Sequence, residues 1–330
     1  METEKMTSTP IGKVKDSMLK LFRGSNDILG VFLILFGLCV VMTFASDNFL
    51  TVDNLSSVAR AFSFVAIMAI GMTIVIITGG IDMSVGSIFA FAGVITAYSY
   101  SNLQLALPLC ILLGVIGGAI FGFINGLLIN ECNLPPFIAT LGTMSVARGL
   151  SYAITSGFPI SMPSSFNQLG QGMIFNIPYP IILMIVLAII FTFVLNKMIF
   201  GRHVYAVGGS EEASAISGIK VKRVKLAVYS ISGFLSAIAG IIMTARLGVA
   251  QSTAGLGYEL DVIAAVIIGG ASFSGGKGTI VGAILGAAIM GVLRNGLVLL
   301  NVSAYWQQTV IGLVIIIAVT IDQLRYKKKA

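Results

Sequence analysis

The segment PYPIILMIVLAIIFTFVLN, residues 178–196, decides the class of fold, because it is apolar throughout and carries no charge. A helix of about 20 such residues crosses the ~30 Å hydrocarbon layer of a membrane. A polar loop follows, GRHVYAVGGSEEASAISGI at 201–219, and then a second apolar run at 226–245. We therefore predict two membrane-spanning helices joined by a polar loop, which makes the chain an integral membrane protein.

The composition of the chain extends this prediction to its whole length. Hydrophobic residues make up 57% of the sequence and charged residues 10%, with a mean hydropathy of +1.00. Soluble domains carry about a quarter charged residues, so a soluble protein is excluded. We predict an all-α polytopic fold of about ten transmembrane helices, judged by the length that a span requires. The predicted spans are 28–45, 61–78, 84–101, 103–129, 135–156, 178–196, 226–245, 260–272, 278–299 and 305–321.

Residues that could support catalysis are scarce. The cysteines Cys39, Cys110 and Cys132 show no CxxC or Cys/His ligand spacing, and His203 is the only histidine. A metal site needs clustered ligands and a histidine-dependent nucleophile needs its base, and the sequence supplies neither. We therefore expect no enzyme activity and no cofactor or metal bound by this chain.

The basic residues predict the orientation in the membrane. They cluster in 1–27, in 201–225 and at the C-terminal end, and they are absent from the polar stretches 46–56, 157–178, 247–258 and 301–304. Cytoplasmic loops carry the excess of Lys and Arg, so the three basic segments and both termini are predicted to be cytoplasmic. The net charge of +7 is then a signal of topology, and no nucleic-acid partner is expected.

This topology sets the predicted domain organisation. One transmembrane domain lies between two short cytoplasmic ends, and an extracytoplasmic segment divides it into halves. The predicted units are the N-terminal segment 1–27, the transmembrane domain 28–325 with halves of about 28–156 and 178–325, the extracytoplasmic segment 157–178, the cytoplasmic loop 201–225 and the tail 326–330.

The two halves echo each other in sequence. GVIGGAIFGFINGLL from Gly114 resembles GAILGAAIMGVLRNGLVLL from Gly282, which aligns Asn125 with Asn295, and the acidic Asp82 has a counterpart in Asp261. An odd number of spans per repeat inverts the second copy, a common transporter construction. We predict two inverted five-helix repeats with some broken or short helices. The alternative is that glycine-rich membrane helices resemble each other by composition alone.

Polar residues within apolar segments are costly enough to indicate function or pairing. The candidates are Asp82, Asn125, Arg148, Glu259, Asp261 and Asn295. Asp82 follows Gly79-Gly80, where a helix could break, and the two asparagines could offer amide groups to a polar solute. We take Asp82, Asn125, Asp261 and Asn295 as candidates for a translocation path. Structural pairing of these groups is the alternative.

The loop 201–219 predicts one short helix at the membrane surface. Gly208 and Gly209 form a break, Ser210 is a candidate N-cap, Glu211 and Glu212 favour the first turn, and Gly218 is a stop signal. An ordinary basic loop is the alternative.

Four stretches carry a resemblance to a known family: TGGIDMSVGSIFAFAG (78–93), NLPPFIATLGTMSVARGL (133–150), VYAVGGSEEASAISGIKVKRVK (204–225) and GYELDVIAAVIIGGASFSGGKGTIVGAILG (257–286). Together they resemble permeases of the ribose/xylose/arabinose/galactose class of ABC importers, from about residue 45 onward. Glu212, Ala213, Ser214 and Gly218 are similar to the EAAxxxG pattern by which such permeases contact their ATPase, with serine in place of an alanine.

The resemblance implies a set of partners and a location. Two permease chains, identical or paralogous, would form the path in the bacterial cytoplasmic membrane, with a sugar-binding protein outside and an ATPase inside that often has tandem nucleotide-binding domains. ATP would be bound by the ATPase, because SFSGGKGT at 272–279 departs from a phosphate-binding loop. The coupling residues would be Gly208, Gly209, Glu211, Glu212, Ala213, Ser214 and Gly218.

Other readings of the chain remain open. Residues 157–178 suit a shaped lid that docks the binding protein, and a plain connector is the alternative. An ion-coupled secondary transporter would also use inverted repeats and buried carboxylates. A channel or membrane scaffold would need no motor-docking helix. The sequence does not distinguish a pentose, a hexose or a furanosyl signalling molecule as solute.

Overall fold

The computed structural model describes the backbone of residues 10–327. The outer parts of the two predicted cytoplasmic ends, 1–9 and 328–330, lie outside the described residues. The remainder of the N-terminal segment joins the first span in one helix, Pro10–Ala45.

Thirteen helices and four two-residue strands make up the described chain. The helices are α1 Pro10–Ala45, α2 Val52–Ile77, α3 Val85–Ser101, α4 Leu107–Glu131, α5 Pro136–Thr155, α6 Ser164–Gln171, α7 Tyr179–Lys197, α8 Ile199–Gly209, α9 Glu211–Ile216, α10 Val221–Leu247, α11 Tyr258–Ile268, α12 Ile280–Leu299 and α13 Ala304–Lys327. The strands are β1 Ile160–Ser161, β2 Met173–Ile174, β3 Ile177–Pro178 and β4 Val249–Ala250.

The helical character of the fold is confirmed. Each predicted span falls on a helix, and six helices are long and apolar enough to cross a membrane: Ile28–Ala45 within α1, α2, α4, α7, α10 and α12. The helices Val85–Ser101 and Tyr305–Ile317 are apolar but shorter. The count of about ten spans stays a prediction. The four short strands, paired antiparallel as β1 with β4 and β2 with β3, are a small departure from an all-α fold.

Two helices form the centre of the molecule, α2 and α10. They pack against each other, and 83% of the most apolar part of α2 is buried. Glycines allow this close approach: Gly71 of α2 lies against Ser232 of α10, and Gly122 of α4 lies against the Tyr229 carbonyl of α10. A side chain at either glycine would overlap backbone, so small residues set the helix spacing, as is usual in membranes.

The central helices pack across the two halves of the chain. Helix α2 packs on α11 and α12 of the second half, while α10 packs on α3 and α4 of the first half. The two halves are therefore interlocked and do not form separate bodies.

The helix break suggested at Gly79-Gly80 is confirmed. Helix α2 ends at Ile77, and the backbone N–H groups of Gly79 and Gly80 bond back to the carbonyls of Ile76 and Val75 at 2.9 and 3.1 Å. This Schellman ending needs a left-handed residue, which Gly79 supplies at φ 78°. The chain then runs without helix to Val85, where α3 begins.

The segment 157–178 is folded. It contains β1, α6, β2 and β3, and it is fixed to the loop after α10 by the β1–β4 pair and by the Met162 N–H, which donates to the Gly248 carbonyl at 2.9 Å. Phe166 of α6, within this segment, is buried. The segment therefore has defined secondary structure, and its role as a lid stays a prediction.

Candidate functional site

The loop 201–219 folds into two helices, and this corrects the prediction of one. Helix α8 continues through Gly208 and Gly209, which the sequence had suggested as a break, and Ser210 alone separates it from α9. The reason is tertiary packing: a side chain at Gly208 would overlap the Ile77 carbonyl at the end of α2. Glycine is thus required at 208 for close backbone contact.

The two ends of α9 are capped as predicted. The Ser210 hydroxyl accepts a hydrogen bond from the Ala213 N–H at 3.2 Å. At the other end, the Gly218 and Ile219 N–H groups donate to the Ala215 and Ser214 carbonyls, each at 3.0 Å, with Gly218 at φ 85°. This second Schellman motif satisfies the last carbonyls of a six-residue helix.

One face of α9 is fixed to the rest of the chain. Ser214 is its one buried residue, so its small side chain packs within this chain. Glu211 forms an ion pair with Lys225 of α10 at 2.6 Å.

The opposite face of α9 is free. Glu212 and Ala213 are exposed, and the Ile216 side chain is 83% exposed. Within the described part of the chain, Glu212 makes no ion pair. A short helix, capped at both ends, therefore presents a carboxylate, a small residue and a large apolar side chain to the surroundings.

Helix α8 docks on two other parts of the chain. The Tyr205 hydroxyl donates to the Gly278 carbonyl at 2.8 Å, and the Gly276 N–H donates to the Ile77 carbonyl at 2.8 Å beside Gly208. Burial raises the pKa of Tyr205 above its usual value, so the hydroxyl remains protonated and able to donate at neutral pH. The end of α2, helix α8 and the turn 275–278 are thus joined backbone to backbone.

Asp82 lies five residues after this junction and is completely buried. Its carboxylate accepts hydrogen bonds from the N–H and the hydroxyl of Ser84, and from the Ser232 hydroxyl of α10 at 2.8 Å. Three donors thus satisfy the carboxylate without a cation.

Asn125 belongs to the same buried network. Its amide N–H donates to the Ser84 hydroxyl at 2.8 Å, and its amide oxygen accepts from the Thr143 hydroxyl of α5. Two of the four translocation-path candidates therefore meet, through Ser84, at the break between α2 and α3. Every side-chain oxygen and nitrogen of Asp82 and Asn125 has a hydrogen-bond partner in this chain. This supports structural pairing, the alternative to a place in the translocation path, for both residues.

The other two candidates have different partners. Asp261 forms an ion pair with Arg294 at 2.6 Å, and the second oxygen of this buried carboxylate has no hydrogen-bond partner among the described residues. Asn295 exchanges two amide hydrogen bonds with Asn54 of α2, at 2.7 and 3.1 Å. Neither residue bonds to Asp82 or Asn125.

The start of α3 and the loop before α11 touch. Gly86 and Gly255 approach so closely that a side chain on either would overlap the carbonyl of the other. Arg148 of α5 joins them, because its guanidinium donates to the carbonyls of Ser252, Ala254 at 2.7 Å and Gly86 at 3.2 Å. Arg148, a candidate polar residue in the sequence, thus holds the two segments together through their backbone carbonyls. The Glu259 side chain also lies close to Gly86.

Several residues of these clusters were not expected from the sequence. Ser84, Ser232, Thr143 and Tyr205 carry hydroxyls that resemble ordinary helix or loop residues until the fold brings them together. The one available signal was the spacing Asp82-x-Ser84, which is typical of a turn in which the aspartate accepts from the backbone two residues on.

Comparison with known proteins supplies the family. A family model described as "Branched-chain amino acid transport system / permease component" matches residues 54–319. The chain belongs to this permease family. The ribose import permease protein RbsC of Bacillus subtilis is 47% identical over 305 residues, which cover 92% of this chain and 94% of that protein.

Two further relatives agree with this assignment. RbsC of Haemophilus influenzae is 42% identical over 303 residues, covering 90% of this chain and 94% of that protein. The galactose/methyl galactoside import permease protein MglC of the same organism is 38% identical over 323 residues, covering 92% and 95%. No solved structure gives a significant match to the chain.

Family membership settles the broad class. The chain is a permease subunit of a sugar-type ABC transporter, a multi-pass inner-membrane protein and a transport component instead of an enzyme. The resemblance stated from the sequence is thereby confirmed. Membership also implies an ATPase and a substrate-binding protein as partners.

Proposed function

We propose that the chain forms the translocation path of an ATP-driven importer of a ribose-type monosaccharide. The relatives named ribose import permease support the solute class. The observation that carries the mechanism is the geometry of α8 and α9, in which a capped helix with a free outer face is fixed through its neighbour to the end of α2.

In this proposal α9 is the contact with the ATPase, and α8 transmits its movement. Glu212, Ala213 and Ile216 meet the ATPase, while Glu211, Ser214 and the glycines Gly208, Gly209 and Gly218 hold the helix in place. Displacement of α8 acts on the Ile77 carbonyl and on the turn 275–278, because Gly208 touches both without an intervening side chain. A backbone contact without flexible side chains transmits small movements efficiently.

The break after Ile77 then becomes the moving part. The unwound residues between α2 and α3 are held by the Asp82 and Asn125 network, and the start of α3 is held by Arg148. We propose that these polar groups keep two arrangements of the break distinct and do not bind the sugar tightly. A permease that receives sugar from a high-affinity binding protein does not require tight binding of its own.

The two halves act as inverted repeats of five helices each, with about ten spans in total. The exchanged packing of the central helices, α2 on α11 and α12 and α10 on α3 and α4, is the arrangement that such a relationship produces and supports this proposal.

The assembly contains two permease chains, identical or paralogous, and a cytoplasmic ATPase, of which tandem nucleotide-binding domains are one form. ATP is bound by the ATPase, and the permease needs no cofactor. The termini and the loop 201–225 lie in the cytoplasm, and the folded segment 157–178 docks the sugar-binding protein on the other side.

The proposal is tested in the reconstituted importer by measuring sugar uptake and ATP hydrolysis together. Glu212→Lys reverses a charge on the free face of α9, so uptake per ATP hydrolysed is expected to fall roughly tenfold, as for a charge reversal in an interface. Glu131→Lys is the matched control, because Glu131 is exposed, ends α4 and pairs only with the exposed Lys222. Equal uptake per ATP in both variants would remove α9 from the mechanism.

Uptake driven by an ion gradient without ATPase would instead favour a secondary transporter.

A further inference from the structure

A cavity of 440 Å³ lies between the start of α8 and the start of α10, and Gly218, the glycine that ends α9, also lines it. Ligand sites in proteins measure about 300–1,000 Å³, so the volume suits a small ligand or one end of a larger one. Its walls combine apolar and basic side chains, among them Phe200, Ile219 and Val224 with His203, Lys220 and Arg223.

The basic residues of the cavity are not neutralised within the described part of the chain. No carboxylate there lies within ion-pair distance of Lys220, Arg223 or His203. Their neighbours in sequence differ, because Lys222 is paired with Glu131 at 3.2 Å and Lys225 with Glu211 at 2.6 Å. Among the described residues, the charges of Lys220 and Arg223 are therefore unpaired at the cavity and are complementary to an anion.

The apolar walls restrict the kind of anion. Val224 is buried, and Phe200 and Ile219 are partly buried. A free inorganic anion would bind at the basic rim and would gain nothing from these walls. A ligand with a negatively charged head and an apolar chain would use both parts, because burying apolar surface adds to the attraction between charges.

We propose that this cavity binds an anionic phospholipid, with its phosphate at Lys220 and Arg223 and the beginning of its acyl chains against Phe200, Ile219 and Val224. The proposal rests on the orientation given under the proposed function, which places 201–225 at the cytoplasmic surface. Basic pockets beside membrane helices on that surface attract anionic headgroups. The exposed apolar side chains of the preceding helix α7, Ile189 and Phe193, provide the kind of surface that acyl chains cover.

A carboxylate of the ATPase is the competing occupant of the cavity. The lipid is favoured because the free face of α9, with Glu212 and Ile216, already offers an ATPase contact, whereas Val224 belongs to a membrane helix. An acidic side chain alone would leave the apolar walls unused.

The experiment measures bound phosphatidylglycerol by native mass spectrometry of the intact importer after exchange into lipid-free detergent. Lys220→Gln with Arg223→Gln removes two charges from the cavity and is expected to lower retention of the lipid roughly tenfold. Arg202→Gln with Lys222→Gln is the matched control, because it removes two charges from the same exposed loop without touching the cavity. Ala227→Phe fills the cavity while keeping every charge, and it is also expected to reduce retention.

The outcomes separate the possible occupants. Loss in the cavity variants with retention in the control supports the proposal, and phosphatidylcholine should not replace the anionic lipid. If both double variants lost the lipid equally, the loss would reflect general attraction between charges, and the proposal would be overturned. If inorganic phosphate occupied the cavity as well as the lipid does, the proposal would be overturned. It would also be overturned if the isolated permease bound the lipid but the permease with its ATPase did not. Because retention is measured in detergent without transport, failure of the coupling mechanism leaves this result unaffected.

Discussion

Asp82 and Asp261 hold matching places in the two halves of the chain, yet they are buried in different ways. Asp82 is held by hydroxyl and N–H donors of Ser84 and Ser232, all within the core. Asp261 is held by Arg294, whose side chain is 40% exposed, and it keeps one oxygen unpaired within the described residues. The first arrangement is closed on all sides, while the second opens towards the surface.

This difference shows how much the sequence similarity between the two halves can predict. The similarity between the halves placed one carboxylate close to the start of a helix in each half, α3 and α11, but their partners, Ser84 and Ser232 for the first and Arg294 for the second, are not repeated. A closed network holds one geometry, since each donor has one acceptor. An ion pair with an exposed arginine can be exchanged for water or for a group of a partner, which makes the second half the more adjustable one.

The largest expected effect is the loss of the Asp82 carboxylate. Asp82→Ala leaves three buried donors without their acceptor, so the free energy of unfolding should fall by about 3 kcal/mol or more. Asp82→Asn keeps one acceptor oxygen, and its cost should be nearer ~1 kcal/mol. Thermal unfolding of the purified chain in detergent measures both. Wild-type stability of the alanine variant would show that the network does not hold the break.

The ion pair of the second half should give a smaller and asymmetric effect. Arg294→Gln leaves a buried carboxylate unpaired and should cost about 2 kcal/mol, a value reduced by the exposure of the arginine. Asp261→Asn leaves only a partly exposed arginine, which water can solvate, so about 1 kcal/mol is expected. The same unfolding measurement ranks the two. A greater loss for Asp261→Asn would mean that Asp261 is as firmly enclosed as Asp82.

The smallest expected effect concerns the Asn54–Asn295 pair. Asn295→Ala should cost about 1 kcal/mol, and Asn54→Ala somewhat more, because Asn54 also donates to the Phe49 carbonyl at 2.9 Å. The double variant should show a coupling free energy of about 0.5–1 kcal/mol between the two side chains. Strict additivity would indicate that the reciprocal hydrogen bonds contribute nothing net.

Much of the fold could be predicted because apolar runs define membrane helices directly. Each predicted span lies on a helix, and Gly79 ends α2 where the sequence suggested, because only a left-handed residue allows that ending. The continuation of α8 through Gly208 could not be predicted. It depends on contact with Ile77 and Gly276, which are distant in sequence.

Some residues of the candidate site could be predicted from the sequence, and others could not. Ser210 and Gly218 act locally, so their capping roles follow from sequence. The inward orientation of Ser214 depends on packing within the fold. The partners of Arg148 are backbone carbonyls, which leave no trace in residue type. Local backbone chemistry is thus readable from the sequence, while long-range polar pairing is not.

The most direct test of the coupling mechanism is site-specific photo-crosslinking in membranes that contain the complete importer. A benzophenone amino acid replaces Ile216, on the free face of α9, or Phe175, which is 96% exposed in the segment 157–178. The mechanism predicts that position 216 crosslinks to the ATPase and position 175 to the sugar-binding protein. A failure of position 216 to crosslink to the ATPase would contradict the account. A crosslink from position 175 to the ATPase would contradict it as well.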